Sequence, residues 1–256
     1  MSRSNLKSRD SRRRLLKLKR ELLRRGAPNS LFDFTRYCKV DYQANWHHRF
    51  IADKLDDFWR DPYQNRLMLF VPPQHGKSEI ACRHFPAYVL GKEPNTKIAA
   101  ASYSIDLARS FNRDVQRIIE SKYYQQVFPE TSLNSHNVAA DSKGSYLRNT
   151  QEFEVVGRSG SYKAVGVMGG LSGRRVDLAI IDDPVKDAME ANSSTYRDRV
   201  WEWYINVLET RLHNKSKVVL IMTRWHEDDL AGRLLDRQLG KWKVIKIPAI
   251  KESVGE

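Results

Sequence analysis

Leu67-Met68-Leu69-Phe70-Val71-Pro72-Pro73-Gln74-His75-Gly76-Lys77-Ser78 decides how the rest of this chain is read. An apolar run stops at a Pro-Pro turn, and Gly-Lys-Ser then opens a helical pattern. That is the strand, loop and helix order of a phosphate-binding (Walker A) loop. A glycine without Cβ lets backbone N–H groups close on phosphate oxygens, and the helix N-terminus adds positive dipole. In that geometry Pro73, Gln74, His75 and Gly76 wrap the phosphates, Lys77 reaches the β- and γ-phosphates, and the Ser78 hydroxyl holds Mg²⁺. The general pattern carries a further glycine five residues before Gly76, where this chain has Val71. For this segment alone, an ordinary strand-to-helix turn with an exposed lysine is the alternative.

Two later segments favour nucleotide chemistry. Asp177-Leu178-Ala179-Ile180-Ile181-Asp182-Asp183-Pro184 is a short apolar strand ending in paired carboxylates. An ATPase of this kind needs one acid in the Mg²⁺ shell and a second for the attacking water. Open α/β sheets bind their ligands at the C-terminal ends of strands. Asp182 is therefore assigned to the metal, through water, and Asp183 to the nucleophilic water. A polar turn after a buried strand is the alternative. The run Lys217 to Met222 is a third apolar strand and ends at Thr223, whose hydroxyl can sense a γ-phosphate and move the segment that follows. His226, Glu227, Asp228 and Asp229 have the composition of a metal cluster. Opening a helix, the acids fit helix N-terminal charge better, and no metal is expected there.

The three segments together resemble the large terminase subunit of tailed bacteriophages. The resemblance is carried by Pro72 to Ser78, by Gly169-Gly170-Leu171-Ser172-Gly173 leading into Ile180-Ile181-Asp182-Asp183-Pro184, and by Thr223-Arg224-Trp225-His226-Glu227-Asp228-Asp229-Leu230-Ala231-Gly232-Arg233-Leu234. It extends from near Tyr42 to near Ala249. It implies an ATP-driven motor that pumps double-stranded DNA into a procapsid, working with a portal protein and a small terminase subunit. It also implies a ring homo-oligomer in the cytoplasm of an infected bacterial host, acting at the procapsid portal. The implied fold is an α/β P-loop NTPase of the ASCE type, with a twisted, mostly parallel central sheet flanked by helices and an N-terminal helical arm.

The resemblance extends to single residues. Gln43 stands where the family reads the adenine edge and Trp46 where it stacks on the base, with helix-start packing the alternative for Trp46. The family usually has an arginine where this chain has Gln74, so an arginine finger is not supplied from the loop. Arg158 and Arg174 are the candidates for that role, and Arg109 a weaker one. A finger donated across a subunit boundary raises turnover by about 10³–10⁵. Asp183 also replaces the more usual glutamate, and its shorter side chain must sit closer to the water. The expected organisation is a basic helical arm over 1–40, the motor over 41–250, and over 251–256 the start of a linker to an absent nuclease domain.

Charge is concentrated in the arm. Of a formal net charge of +13, residues 1–25 hold +9, eleven Lys/Arg against Asp10 and Glu21, which leaves +4 for the remainder. Leu15, Leu18 and Leu22 follow i, i+3, i+7 spacing and predict a basic amphipathic helix ending near Gly26-Ala27-Pro28. It could pack on the motor or a neighbouring subunit, touch DNA phosphates, or lie on a membrane surface. No apolar run approaches the ~18 residues that span a bilayer, and the N-terminus is too polar for a signal peptide. No membrane partner is expected. Cys38 and Cys82 have no metal-ligand spacing and read as buried thiols of a reducing cytoplasm.

Elsewhere the pattern predicts helices near 45–60, 77–91, 105–121, 194–212 and 228–237. Strands are expected near 66–71, 97–103, 152–156, 177–182, 217–223 and 242–247, an alternation that argues for a mostly parallel sheet with helices on both faces. Glu130 to Asn149 is a turn-rich divider between the two halves. Gly166 to Gly173 is too rich in glycine for a strand interior and is expected to fold close to nucleotide or a neighbour, or to form tight turns. DNA contact should go mainly to phosphates. Three other functions are compatible with parts of the pattern: a helicase-like DNA translocase, a metal-dependent nuclease using Asp182, Asp183 and Asp187, and a non-catalytic DNA-binding scaffold.

Overall fold

The computed structural model describes residues 3–138, 145–171, 173 and 175–248. In chain order the elements are α1 (Arg3–Gly26), α2 (Leu31–Cys38), α3 (Trp46–Arg60), β1 (Arg66–Phe70), a π-helical turn (Glu79–His84) running into α4 (Phe85–Lys92), β2 (Lys97–Ser102), α5 (Ile105–Glu120) and the short α6 (Lys122–Gln125). There follow β3 (Glu152–Glu154), β4 (Ser161–Gly166), β5 (Val176–Asp182), α7 (Ala188–Asn192), α8 (Ser194–Trp203), β6 (Leu212–Met222), α9 (Leu230–Arg237) and β7 (Lys243–Lys246).

The strands form one sheet in the order β3-β4-β2-β5-β6-β1-β7. Every neighbouring pair is parallel except β3 with β4. Runs such as Leu67 to Phe70 and Leu178 to Ile181 are buried on both faces, which is why they are apolar without alternation. Leu67, Leu69, Ile98, Ala100, Leu178, Ile180, Val219 and Ile221 join the core that includes Ile51, Ile80 and Phe111 from α3, the π-helical turn and α5. Met68, Phe70, Ala99, Ala179, Ile181 and Leu220 point the other way, onto Val200, Trp203 and Leu234. The mostly parallel, helix-flanked sheet expected from sequence is the fold found. Its order has one functional consequence: β6 lies between β1 and β5, so Thr223 falls between the phosphate loop and the paired aspartates.

Several local features depart from expectation. The sequence pattern does not predict the six-residue β4, because Lys163 interrupts it and glycines crowd both ends. Pairing to β2 along its whole length makes it a strand. Nor does it predict α2, although Ser30 accepts a hydrogen bond from the Asp33 backbone N–H, an N-cap written in the sequence. The helix expected to run to 212 leaves α geometry after Trp203, and β6 begins at Leu212 rather than near 217. Helix α1 ends at Gly26, as expected. Its stripe is not the packed face, however: Leu15, Leu18 and Leu22 are exposed, whereas Leu23 packs on the core. No described helix is long and apolar enough to cross a membrane.

Candidate active site

The loop after β1 turns through two left-handed residues, Gln74 (φ 62°) and Gly76 (φ 69°). At Gly76 the requirement is double, because an added Cβ would also stand 2.6 Å from His48 Nε2. His48 is held by its own helix end: its Nδ1 accepts from the Asn45 backbone N–H at 3.1 Å, part of the capping box that starts α3. His47 lies 5.4 Å from the His75 ring, so the start of α3 buttresses the loop.

Lys77, only 6% exposed, points along the C-terminal edge of the sheet. Its Nζ lies 2.9 Å from Asp183 Oδ2 and donates to Thr223 Oγ1 at 2.9 Å. A longer contact of 3.5 Å reaches the Val71 carbonyl. The Ser78 hydroxyl donates to both oxygens of Asp182, at 2.9 and 3.1 Å. Asp183 is itself in the left-handed region, with φ 41°, a strained setting for a residue with a Cβ. The Thr223 backbone N–H donates to its carboxylate at 2.9 Å, and its carbonyl accepts from the Tyr103 N–H at 3.3 Å. One cleft of about 470 Å³ is therefore bounded by Pro73, Gln74, Gly76, Lys77, Ser78, Asp183 and Thr223.

The two carboxylates differ in environment. Asp182 is buried at the end of β5, and its carboxyl is pushed up to about 6, first by that burial and then by the negative charge of Asp183. The Ser78 hydrogen bond and the Lys77 charge act in the opposite direction. Asp183 is more open and has Lys77 as its counter-ion. The donor set suits a triphosphate with a divalent ion. A left-handed glycine loop offers backbone N–H groups, a buried ammonium offers charge, and a hydroxyl beside a carboxylate offers the hard oxygens that Mg²⁺ prefers.

Other predicted residues are not at the cleft. Gln43 and Trp46 are exposed on the segment leading into α3, with Trp46 edge-on to His47, and neither lines the cleft. Arg158 sits in the turn before β4, at the sheet edge opposite the aspartates, and pairs with Glu130 at 3.0 Å. Arg109 pairs with Asp106 on α5 at 3.5 Å. Arg174 and Ser172 lie outside the described residues, as do residues 251–256. Asp187 caps α7 by accepting from the Glu190 N–H at 3.0 Å. Asp229 caps α9 and binds Arg224, while Asp228 is gripped by Arg197 and Arg233, so both acids serve the start of α9. Among the described residues no group of three or more His, Cys, Asp or Glu is placed to hold a metal ion. The glycine run beginning at Gly166 lines a second cavity that shares Tyr103 with the cleft.

Sequence reasoning missed Arg83, Tyr103 and Trp225 in the cleft wall. Arg83 is held by Asp114 of α5 at 2.8 Å and stacks 4.8 Å over Phe111. Its position one helical turn beyond Glu79 is the only signal in the sequence, and Trp225 could have been inferred from its place two residues after Thr223.

Comparison with known proteins agrees with this geometry. A family model described as terminase large subunit, T4likevirus-type, N-terminal, matches residues 68–253. No curated protein sequence matches. Among solved structures, the large terminase of bacteriophage HK97 superposes with a TM-score of 0.55 at 12% identity. That alignment covers 83% of this chain and 41% of the HK97 chain, so the present chain spans less than half of that protein's length. A mutant ATPase domain of the Thermus phage P74-26 large terminase gives a TM-score of 0.49 at 13% identity, over 80% of this chain and 82% of that one. The large terminase of another thermophilic bacteriophage, in complex with ADP, gives 0.44 at 10% identity, over 75% and 43%.

Proposed function

This chain belongs to the terminase large subunit family, and we propose that it is an ATPase whose turnover drives double-stranded DNA into a procapsid. The observation that carries the reading is the meeting of Lys77 with Asp183 and Thr223 beside the pair Ser78–Asp182. Segments far apart in sequence converge there on the groups that phosphoryl transfer to water requires.

In this reading Gly76 and its neighbours bind the phosphates through backbone N–H groups, and Lys77 turns from Asp183 to the β- and γ-phosphate oxygens. Ser78 and Asp182 hold Mg²⁺, which neutralises charge developing on those oxygens. Asp183, released from Lys77, accepts a hydrogen bond from the attacking water, aligns it and takes its proton. Thr223 shares hydrogen bonds with both Lys77 and Asp183, so a change at either is felt at the start of the segment leading to α9. Gln43 and Trp46 are proposed to close on the adenine when nucleotide binds. Arg158 or Arg174 is proposed as the finger. Arg158, at the far sheet edge, could act only on a neighbouring subunit of a ring.

The portal protein and small terminase subunit as partners, the ring assembly, and action at the procapsid in the host cytoplasm belong to the same proposal. So does the division into an arm (1–40), a motor (41–250) and a linker start (251–256). The experiment is to compare Asp183→Asn with the parent for phosphate release and for ATP affinity. The expected result is a loss of hydrolysis of about 10²-fold or more, as for a missing general base, with affinity largely kept. Turnover near the parental rate would remove Asp183 from the role.

A further inference from the structure

We propose that the groove between α1, α2 and α6 binds the phosphodiester backbone of nucleic acid, at a site separate from the nucleotide cleft. The proposal takes from the preceding reading only the identity of the polymer, double-stranded DNA. The groove encloses about 620 Å³ and is lined by Lys17, Arg20, Arg24 and Lys122 together with Tyr37 and Tyr123. It shares no lining residue with the cleft at Ser78.

Arg20 is the centre of the site. Its guanidinium lies 4.0 Å from the Tyr123 ring centroid and 5.1 Å from that of Tyr37, an arrangement that fixes a planar donor fork in place. Its Nη2 is nevertheless buried without a hydrogen-bond partner. A desolvated guanidinium N–H is costly to leave unmatched, and an anionic oxygen entering the groove supplies the missing acceptor. The carboxylate in the groove wall, Glu21, is already taken: it accepts from Arg24 at 2.8 and 2.9 Å and from Arg25 at 3.0 Å. Among the described residues Lys17, Arg20 and Lys122 have no carboxylate partner.

The shape of the charge favours a polymer over a small anion. Arg13, Lys17, Arg20 and Arg24 follow i, i+4, i+7, i+11 spacing, so one face of α1 carries a row of cations about 16 Å long. A row of that kind suits a line of phosphates and reads no base edge, as a pump indifferent to sequence requires. It also accounts for the placement of +9 within residues 1–25.

The test uses the whole chain and measures binding of a short duplex by fluorescence anisotropy over a range of salt concentrations. The Lys17→Gln/Lys122→Gln double variant leaves the Arg20 stack in place. It should weaken binding by about tenfold at moderate salt, equally for unrelated sequences, and lower the log–log salt slope by about 2. Arg20→Gln should act in the same direction, with circular dichroism verifying that α1 remains folded. An unchanged slope in the double variant overturns the proposal, as does a parent chain that does not bind the duplex. If the variants lose self-association while binding DNA as before, the groove docks a second copy and the proposal is again wrong. ATP hydrolysis without DNA is measured in parallel. If it is absent while the groove variants lose DNA, the motor reading fails and the groove stands. Normal hydrolysis with an unchanged slope means the opposite: the motor stands and the groove fails.

Discussion

Lys77 Nζ lies 2.9 Å from the Asp183 carboxylate, joining the phosphate loop to the residue that follows the acid-bearing strand β5. The lysine that should meet phosphate and the acid that should meet water are each other's counter-ion. Whatever draws Lys77 away therefore frees Asp183 in the same motion, which couples binding to the availability of the base.

Lys77→Ala should abolish hydrolysis. The variant loses the charge that meets the phosphates and leaves Asp183 and Asp182 facing each other without a nearby cation, which should raise the carboxyl of Asp182 further. Phosphate release measures the first effect. Residual turnover within about tenfold of the parent would show that the lysine does not contact the transferring group.

Asp182 predicts a pH dependence of stability. Its carboxyl is raised to about 6 in the folded chain from an ordinary value of 3.8, so between those values the native state binds more protons than the unfolded state. Stability without nucleotide should therefore fall as pH rises from near 4 to near 6 and stay lower above that, by about 2–3 kcal/mol from this group. Asp182→Asn removes the penalty. It should raise the Tm at pH 7 while abolishing Mg²⁺-dependent hydrolysis, and a Tm below that of the parent at pH 7 would contradict the account.

Gly76→Ala faces two separate obstacles. The left-handed backbone costs a residue with Cβ about 1–2 kcal/mol, and the new methyl meets His48. The variant should bind ATP weakly and unfold earlier in denaturant. Adding His48→Ala should recover part of the stability, because it relieves the contact but not the backbone. Full recovery would mean that φ at Gly76 does not matter.

A finger acting across subunits can be recognised by mixing. Lys77→Ala and Arg158→Ala should each be inactive in assembled rings, and the mixture should regain activity because some interfaces pair an intact cleft with an intact arginine. Mixtures as silent as either variant would exclude Arg158 and leave Arg174 to be tested in the same way.

What can be read from the sequence follows the physics of each signal. Strands buried on both faces announce themselves, and Leu67 to Phe70, Leu178 to Ile181 and Val218 to Met222 are legible together with their polar ends. Sheet order then brings Lys77, Asp183 and Thr223 together, which no local pattern encodes. The strand Ser161–Gly166 is not legible because its identity comes from pairing with β2 and not from its own residues. Arg83 escapes notice because an arginine on a helix looks the same whether it faces solvent or a cleft. The leucine spacing of α1 correctly marks a helix but suggests the wrong buried face, since Leu23 and the stacked Arg20 hold it to the body.

The most direct test is a crystal structure of the chain with Mg²⁺ and a non-hydrolysable ATP analogue. The account predicts phosphates wrapped by residues 74–78, Lys77 Nζ moved from Asp183 onto β- and γ-phosphate oxygens, and the metal beside Ser78 Oγ and Asp182. A nucleotide bound elsewhere, or a metal remote from Ser78 and Asp182, would contradict it.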